Sequence, residues 1–126
     1  MNDAAYIEQY LKESREIAER VDRAAVLKAM EVLRRVRSAK GRLFVLGVGG
    51  SAGNASHAVN DFRKIAGMEA YAPTDNVSEL TAWTNDASWS EVFWKWLTFL
   101  RQGTKLRFLP IMVNSNICWV LQTAGY

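Results

Sequence analysis

From Ala4 to Ser38, apolar residues return every three or four positions: Ile7, Leu11, Ile17 and Val21, then Val26, Met30, Leu33 and Val36. That spacing places them along one side of an α-helix. The phase slips at Val21-Asp22, where Asp22 can cap a new helix, so two helices are predicted, over about 4–20 and 23–38. The other side of the first is charged (Glu8, Lys12, Glu13, Arg15, Glu16, Glu19). Gly41 suits a helix stop, and Arg42-Leu43-Phe44-Val45-Leu46 is a nearly all-apolar run of the kind that forms a buried parallel strand. It leads directly into Gly47-Val48-Gly49-Gly50-Ser51-Ala52-Gly53-Asn54. Helical spacing then resumes with Ala55, Ala58, Val59, Phe62, Ile65 and Ala66, up to Gly67. Strand, glycine-rich turn and helix open a βαβ unit.

Beyond Gly67 the pattern predicts a short strand over 69–73 and a short helix holding Val77, Leu80, Thr81 and Trp83. A turn follows at Asn85-Asp86-Ala87-Ser88, with Ser88 as N-cap of a helix over about 89–100. That helix places Trp89, Val92, Phe93, Trp96, Leu97 and Leu100 on one face and leaves Trp94 off it. Residues 106–113 form a candidate strand that Pro110 confines to a sheet edge.

At 126 residues, 49% hydrophobic and 23% charged, the composition is that of one globular domain, and it excludes disordered, collagenous and coiled-coil chains. The expected division is 1–40 for the helices, 41–97 for the core and 98–126 for an atypical tail. No apolar run is long enough for a membrane span, and the first residues lack the layout of a secretory signal. A single cysteine, Cys118, excludes an internal disulfide and suits a reducing cytoplasm. All 13 acids lie at or before Glu91, whereas Lys95, Arg101, Lys105 and Arg107 follow it. The Arg34, Arg35, Arg37 and Lys40 cluster closes the second helix, where cations complement the helix dipole. Neither a nucleic acid nor a membrane is an expected partner.

The chemistry is concentrated in the glycine loop. Glycines let a backbone approach an anion, and N–H groups at a helix start point towards it. Ser51 adds a hydroxyl, so the implied ligand carries phosphate. A dinucleotide is one reading, because Gly47-x-Gly49-x-x-Ala52 fits G-x-G-x-x-G/A and Glu69 lies 22 residues after Gly47. Glu69 nonetheless precedes the second strand's apolar run, whereas a ribose-binding acid belongs at that strand's end. The loop has no Gly-Lys-Ser/Thr, which excludes a nucleoside-triphosphate P-loop.

Val45-Leu46-Gly47-Val48-Gly49-Gly50-Ser51, followed by His57, Asp61 and the later Thr84-Asn85-Asp86, resembles the sugar-isomerase (SIS) domain, most of all the phosphoheptose isomerases. The resemblance runs from about residue 5 to about residue 97. It implies an α/β fold, with a helix pair ahead of the first βα units of a parallel, flavodoxin-like or Rossmann-like sheet whose C-terminal part is incomplete. It also implies interconversion of sedoheptulose 7-phosphate and a manno-heptose 7-phosphate through an enediolate, for lipopolysaccharide synthesis, by a cytoplasmic homotetramer. Carried over, Gly49, Gly50, Ser51 and Asn85 bind substrate and phosphate, and His57, Asp61 and Asp86 are catalytic. His57 and Asp61 are also candidate ligands for zinc. Val48 stands where the family carries Asn, and Asp61 where it carries Glu. The family's later phosphate loop, Gln and His have no counterpart after Leu97, so the end of the chain reads as truncated or frameshifted, with activity reduced or lost. A non-catalytic sugar-phosphate-binding module is the alternative, ahead of a dinucleotide binder.

Overall fold

The computed structural model describes residues 2–98 in full and the backbone of 106–113 and 116–123. Helix α1 spans Asp3–Glu19 and α2 spans Arg23–Ser38, close to the predicted limits. The Asn2 side chain caps α1 by accepting the Ala5 N–H at 2.8 Å. Asp22 caps α2, its carboxylate accepting from Ala24 N–H at 2.9 Å and Ala25 N–H at 3.1 Å. These two amides have no partner inside the helix, so Asp22→Ala is expected to lower stability by about 1 kcal/mol, read as a lower urea midpoint.

The chain divides into two compact units, Met1–Glu31 and Val32–Tyr126. In the first, the apolar stripe of α1 is exposed: Ile7, Leu11 and Ile17 face solvent beside Tyr6 and Tyr10. Glu16 is the only residue of α1 that is even partly buried, so helical periodicity here marks a face without a core behind it.

The second unit is built around β1, Arg42–Leu46. Side chains alternate across a strand, and here both faces are covered. Leu43 and Val45 pack with Val36 of α2, Ala55 and Val59 of α3 (Gly50–Lys64), and Met68, Ala70 and Ala72. Phe44 and Leu46 pack on the other face with Tyr71, Phe93, Trp96 and Leu97. Strand β2, Glu69–Tyr71, runs parallel to β1 in the register Arg42↔Glu69 to Phe44↔Tyr71. Arg63 Nε of α3 donates to the Ala70 carbonyl at 2.6 Å, which occupies an acceptor of this edge strand.

The expected parallel sheet is confined to β1 and β2. A hairpin of β3 (Leu106–Val113) and β4 (Asn116–Thr123) completes a mixed sheet of order β2-β1-β4-β3. Strand β4 lies antiparallel to β1, from Leu43↔Gln122 to Leu46↔Trp119, on the side of β1 away from β2. Connectivity accounts for the antiparallel pairing of β3 with β4: two residues separate them in the chain, whereas a parallel pair needs a crossover of a dozen residues or more. Pro110 lies on the edge strand β3, as its missing N–H requires.

Between β2 and the hairpin lie a 3₁₀ turn Pro73–Asp75, α4 (Val77–Asp86), a 3₁₀ turn Trp89–Glu91 and α5 (Val92–Thr98). Helix α4 is longer than predicted, and Asn85 and Asp86 form its last turn rather than a loop. Asn76 starts it by a reciprocal cap: its Oδ1 accepts the Glu79 N–H at 3.2 Å and its Nδ2 donates to Glu79 Oε2 at 3.0 Å. Ser88 sits at the N-cap of the second 3₁₀ turn, but its hydroxyl pairs with the Ser90 hydroxyl at 2.9 Å instead of a backbone amide. In α5, Val92 is buried and Trp94 exposed, as the pattern predicts, while Leu100 lies outside the described residues.

Candidate phosphate-binding site

Strand β1 hands over to α3 through Gly47, where there is no room for a side chain. A Cβ on Gly47 would stand 2.2 Å from the Ser51 carbonyl oxygen and 2.4 Å from its carbon. Two residues on, Gly49 has φ 59° and ψ −126°, a backbone region open essentially to glycine alone. Gly50 begins the helix with open space beside it.

Ser51 turns inward. It is 4% exposed, its Oγ accepts the Val48 N–H at 2.8 Å, and its hydroxyl donates to the Val48 carbonyl at 2.8 Å. The serine therefore clasps the loop, and the outward donors are main-chain groups. Ser51 N–H and Ala52 N–H are bound to the Val48 and Gly49 carbonyls at 3.2 and 3.0 Å. The N–H groups of Gly49 and Gly50 make no hydrogen bond among the described residues, and both glycines are exposed. They lie at the positive end of a 15-residue helix, an arrangement that favours an anion.

His57 and Asp61 share a face of α3, with Nε2 and Oδ2 3.5 Å apart. Their side chains are 80% and 46% exposed, so the pair lies on the surface. Asn85 Nδ2 donates to Asp86 Oδ1 at 2.9 Å at the end of α4. Among the described residues, no hydrogen bond or ion pair links Asp86 to His57 or Asp61. Zinc takes three or four protein ligands, and no group of three His, Cys, Asp or Glu side chains forms among the described residues. His57 and Asp61 supply two donors, so they do not make a zinc site by themselves.

Ser56, Arg63 and Tyr71 belong to none of the motifs above. The Ser56 hydroxyl donates to Asp75 Oδ1, tying α3 to the turn after β2. The Arg63 guanidinium lies 5.1 Å from the centre of the Tyr71 ring. Ser56 and Arg63 stand seven residues apart on one helix stripe, a spacing that was legible in the sequence. The Tyr71 O–H donates to Glu69 Oε1 at 2.8 Å. That bond, then burial, then the charge of Glu69 hold the phenol above its ordinary pKa, against the weaker pull of Arg63 and Arg42. Glu69 opens β2 and is engaged there, which removes it from the place of a ribose-binding acid.

A buried strand, a tight glycine turn and a helix whose leading amides make no hydrogen bond among the described residues form an α/β strand–turn–helix unit. The solved structure of phosphoheptose isomerase GmhA from Neisseria gonorrhoeae is similar to this chain, with a TM-score of 0.64 and 29% sequence identity. The match covers 77% of this chain and 52% of that one, so the chain spans about half the length of the isomerase. No family model and no curated protein sequence matches. Among the described residues, no helix is long and apolar enough to cross a membrane.

Proposed function

We propose that the chain is a sugar-phosphate isomerase of the phosphoheptose isomerase type, interconverting sedoheptulose 7-phosphate and a manno-heptose 7-phosphate. The observation that carries this reading is the pair of open Gly49 and Gly50 amides at the head of α3, in a chain similar to an isomerase of that name. The phosphate sits against those amides, and Ser51 holds the loop in shape from beneath. His57 and Asp61 supply the proton transfer. A base removes a proton from C1 of the ketose, the C–H electrons become the C1–C2 double bond, and the carbonyl electrons move onto O2. Return of the proton to C2, with transfer of the O1 hydroxyl proton to O2 and closure of the C1=O1 carbonyl, gives the aldose. Protons and electrons balance with no oxidant. Imidazole suits this exchange near neutral pH, and a carboxylate 3.5 Å away orients it. Asp86 and Asn85 contact the sugar. Assembly as a homotetramer in the cytoplasm and a role in lipopolysaccharide synthesis belong to the same reading.

The test is turnover of sedoheptulose 7-phosphate by the full chain, followed as aldose formation. His57→Ala is expected to lower the rate about 10²–10⁴-fold while sugar-phosphate binding persists. Unchanged turnover in that variant would remove His57 from the mechanism. A second reading, a non-catalytic sugar-phosphate-binding module, is favoured by the exposure of the His57–Asp61 pair, since proton transfer at carbon gains from excluding water. Under it, the unmodified chain binds sedoheptulose 7-phosphate and forms no aldose.

A further inference from the structure

An open groove of about 460 Å³ runs beside the edge strand β2, lined by Arg63, Tyr71, Asp75, Asn76, Glu79 and Trp96. It draws residues from α3, β2, the turn after it, α4 and α5. Each charged group in it is held by one atom and leaves another open. Arg63 is fixed through Nε on the Ala70 carbonyl and stacked on Tyr71, which leaves its terminal amino groups. Asp75 is held at Oδ1 by the Ser56 hydroxyl, which leaves Oδ2. Glu79 is held at Oε2 by Asn76, which leaves Oε1. Among the described residues, no ion pair joins Arg63 to either carboxylate, although all three line the same groove. Opposite charges are thus kept apart by their own anchors, a preorganised set of donors and acceptors.

We infer that this groove is a binding site for a neutral polyhydroxylated ligand of about monosaccharide size. A simple cation would meet the guanidinium, and a simple anion would meet two carboxylates. Hydroxyl groups satisfy both, donating to Asp75 and Glu79 and accepting from Arg63. Trp96 adds aromatic surface for the apolar C–H face of a sugar ring, while the Tyr71 ring, stacked on Phe44 and under Arg63, forms the wall that holds the guanidinium. The volume lies within the range of small-molecule sites. The inference stands on the groove alone and does not require the glycine loop to bind phosphate.

The experiment titrates the ¹⁵N-labelled full chain with D-mannose, with L-alanine and with inorganic phosphate. The Trp96 indole signal is assigned by its loss in Trp96→Phe. D-Mannose is expected to move the Trp96 signal saturably in the millimolar range, and Glu79→Gln to weaken that binding about five- to tenfold. Asp75→Asn is a second variant, and the Glu79→Gln result decides where Asp75→Asn disturbs the fold. Phosphate is expected to move the Gly49 and Gly50 amides and leave Trp96 still, so failure of the loop reading shows separately. An unmoved Trp96 signal with D-mannose overturns the inference, as does equal affinity in Glu79→Gln. A stronger response to L-alanine than to D-mannose overturns it in favour of a zwitterion site.

Discussion

Gly47→Ala is expected to abolish the ordered loop and to destabilise the chain by at least about 3 kcal/mol. The added methyl would lie 2.2 Å from the Ser51 carbonyl oxygen, 2.4 Å from its carbon and 2.8 Å from the Ala52 nitrogen. All three are backbone atoms in the first turn of α3, so no side-chain rotation relieves the clash. The strand end and the helix start would have to separate. That movement would pull Ala55 and Val59 away from Leu43 and Val45 and break the Ser51–Val48 clasp. Gly50→Ala is the control, because open space surrounds that position and its φ is ordinary. Urea unfolding is expected to show a large fall in midpoint for Gly47→Ala and little change for Gly50→Ala. A near-native midpoint for Gly47→Ala would show that β1 and α3 are not packed this closely. Phosphate binding at the loop is expected to be lost with it, since the Gly49 and Gly50 amides are aimed by the same turn.

Phe44→Ala is expected to cost about 3–5 kcal/mol. Phe44 is 1% exposed and is among the largest fully buried side chains. Its ring stacks on Tyr71 at 5.6 Å and meets Trp96 edge-on at 5.5 Å. Truncation leaves a cavity between the sheet and α5 and takes the support from beneath two aromatic walls of the groove. The urea midpoint is therefore expected to fall with its slope unchanged, and D-mannose is expected to bind the groove more weakly. Trp94→Ala is the contrast: with Trp94 67% exposed, the change is expected to stay within about 0.5 kcal/mol. A similar loss in both variants would place Trp94 against a surface that the described residues do not include.

The contrast between these residues shows where legibility ends. The limits of α1 and α2, the buried strand β1, the glycine turn and the shared face of His57 and Asp61 could all be read from the chain. Each follows from interactions within a few residues: helical period, strand alternation, capping and the conformational freedom of glycine. The exposed apolar stripe of α1 shows the limit of periodicity, which predicts a face and not what covers it. The inward turn of Ser51 was hidden because a serine in a glycine loop serves equally as an anion donor or a loop clasp. In the structure the hydroxyl bonds to Val48, which is a contact that spacing along the chain does not show. Helix α4 outran its predicted end because Asn85 and Asp86 are turn formers by preference, while the Asn76–Glu79 cap starts a helix that carries through them.

By itself, then, the sequence determined the local elements and a glycine-rich loop at a strand–helix junction, because these depend on neighbours along the chain. The tertiary structure decided that β4 pairs antiparallel with β1, that Gly47 has no room for a methyl group, and that the anchored charges of Arg63, Asp75 and Glu79 line one groove. Those outcomes depend on which distant segments meet, and such contacts are set by packing and connection length, which no local pattern encodes.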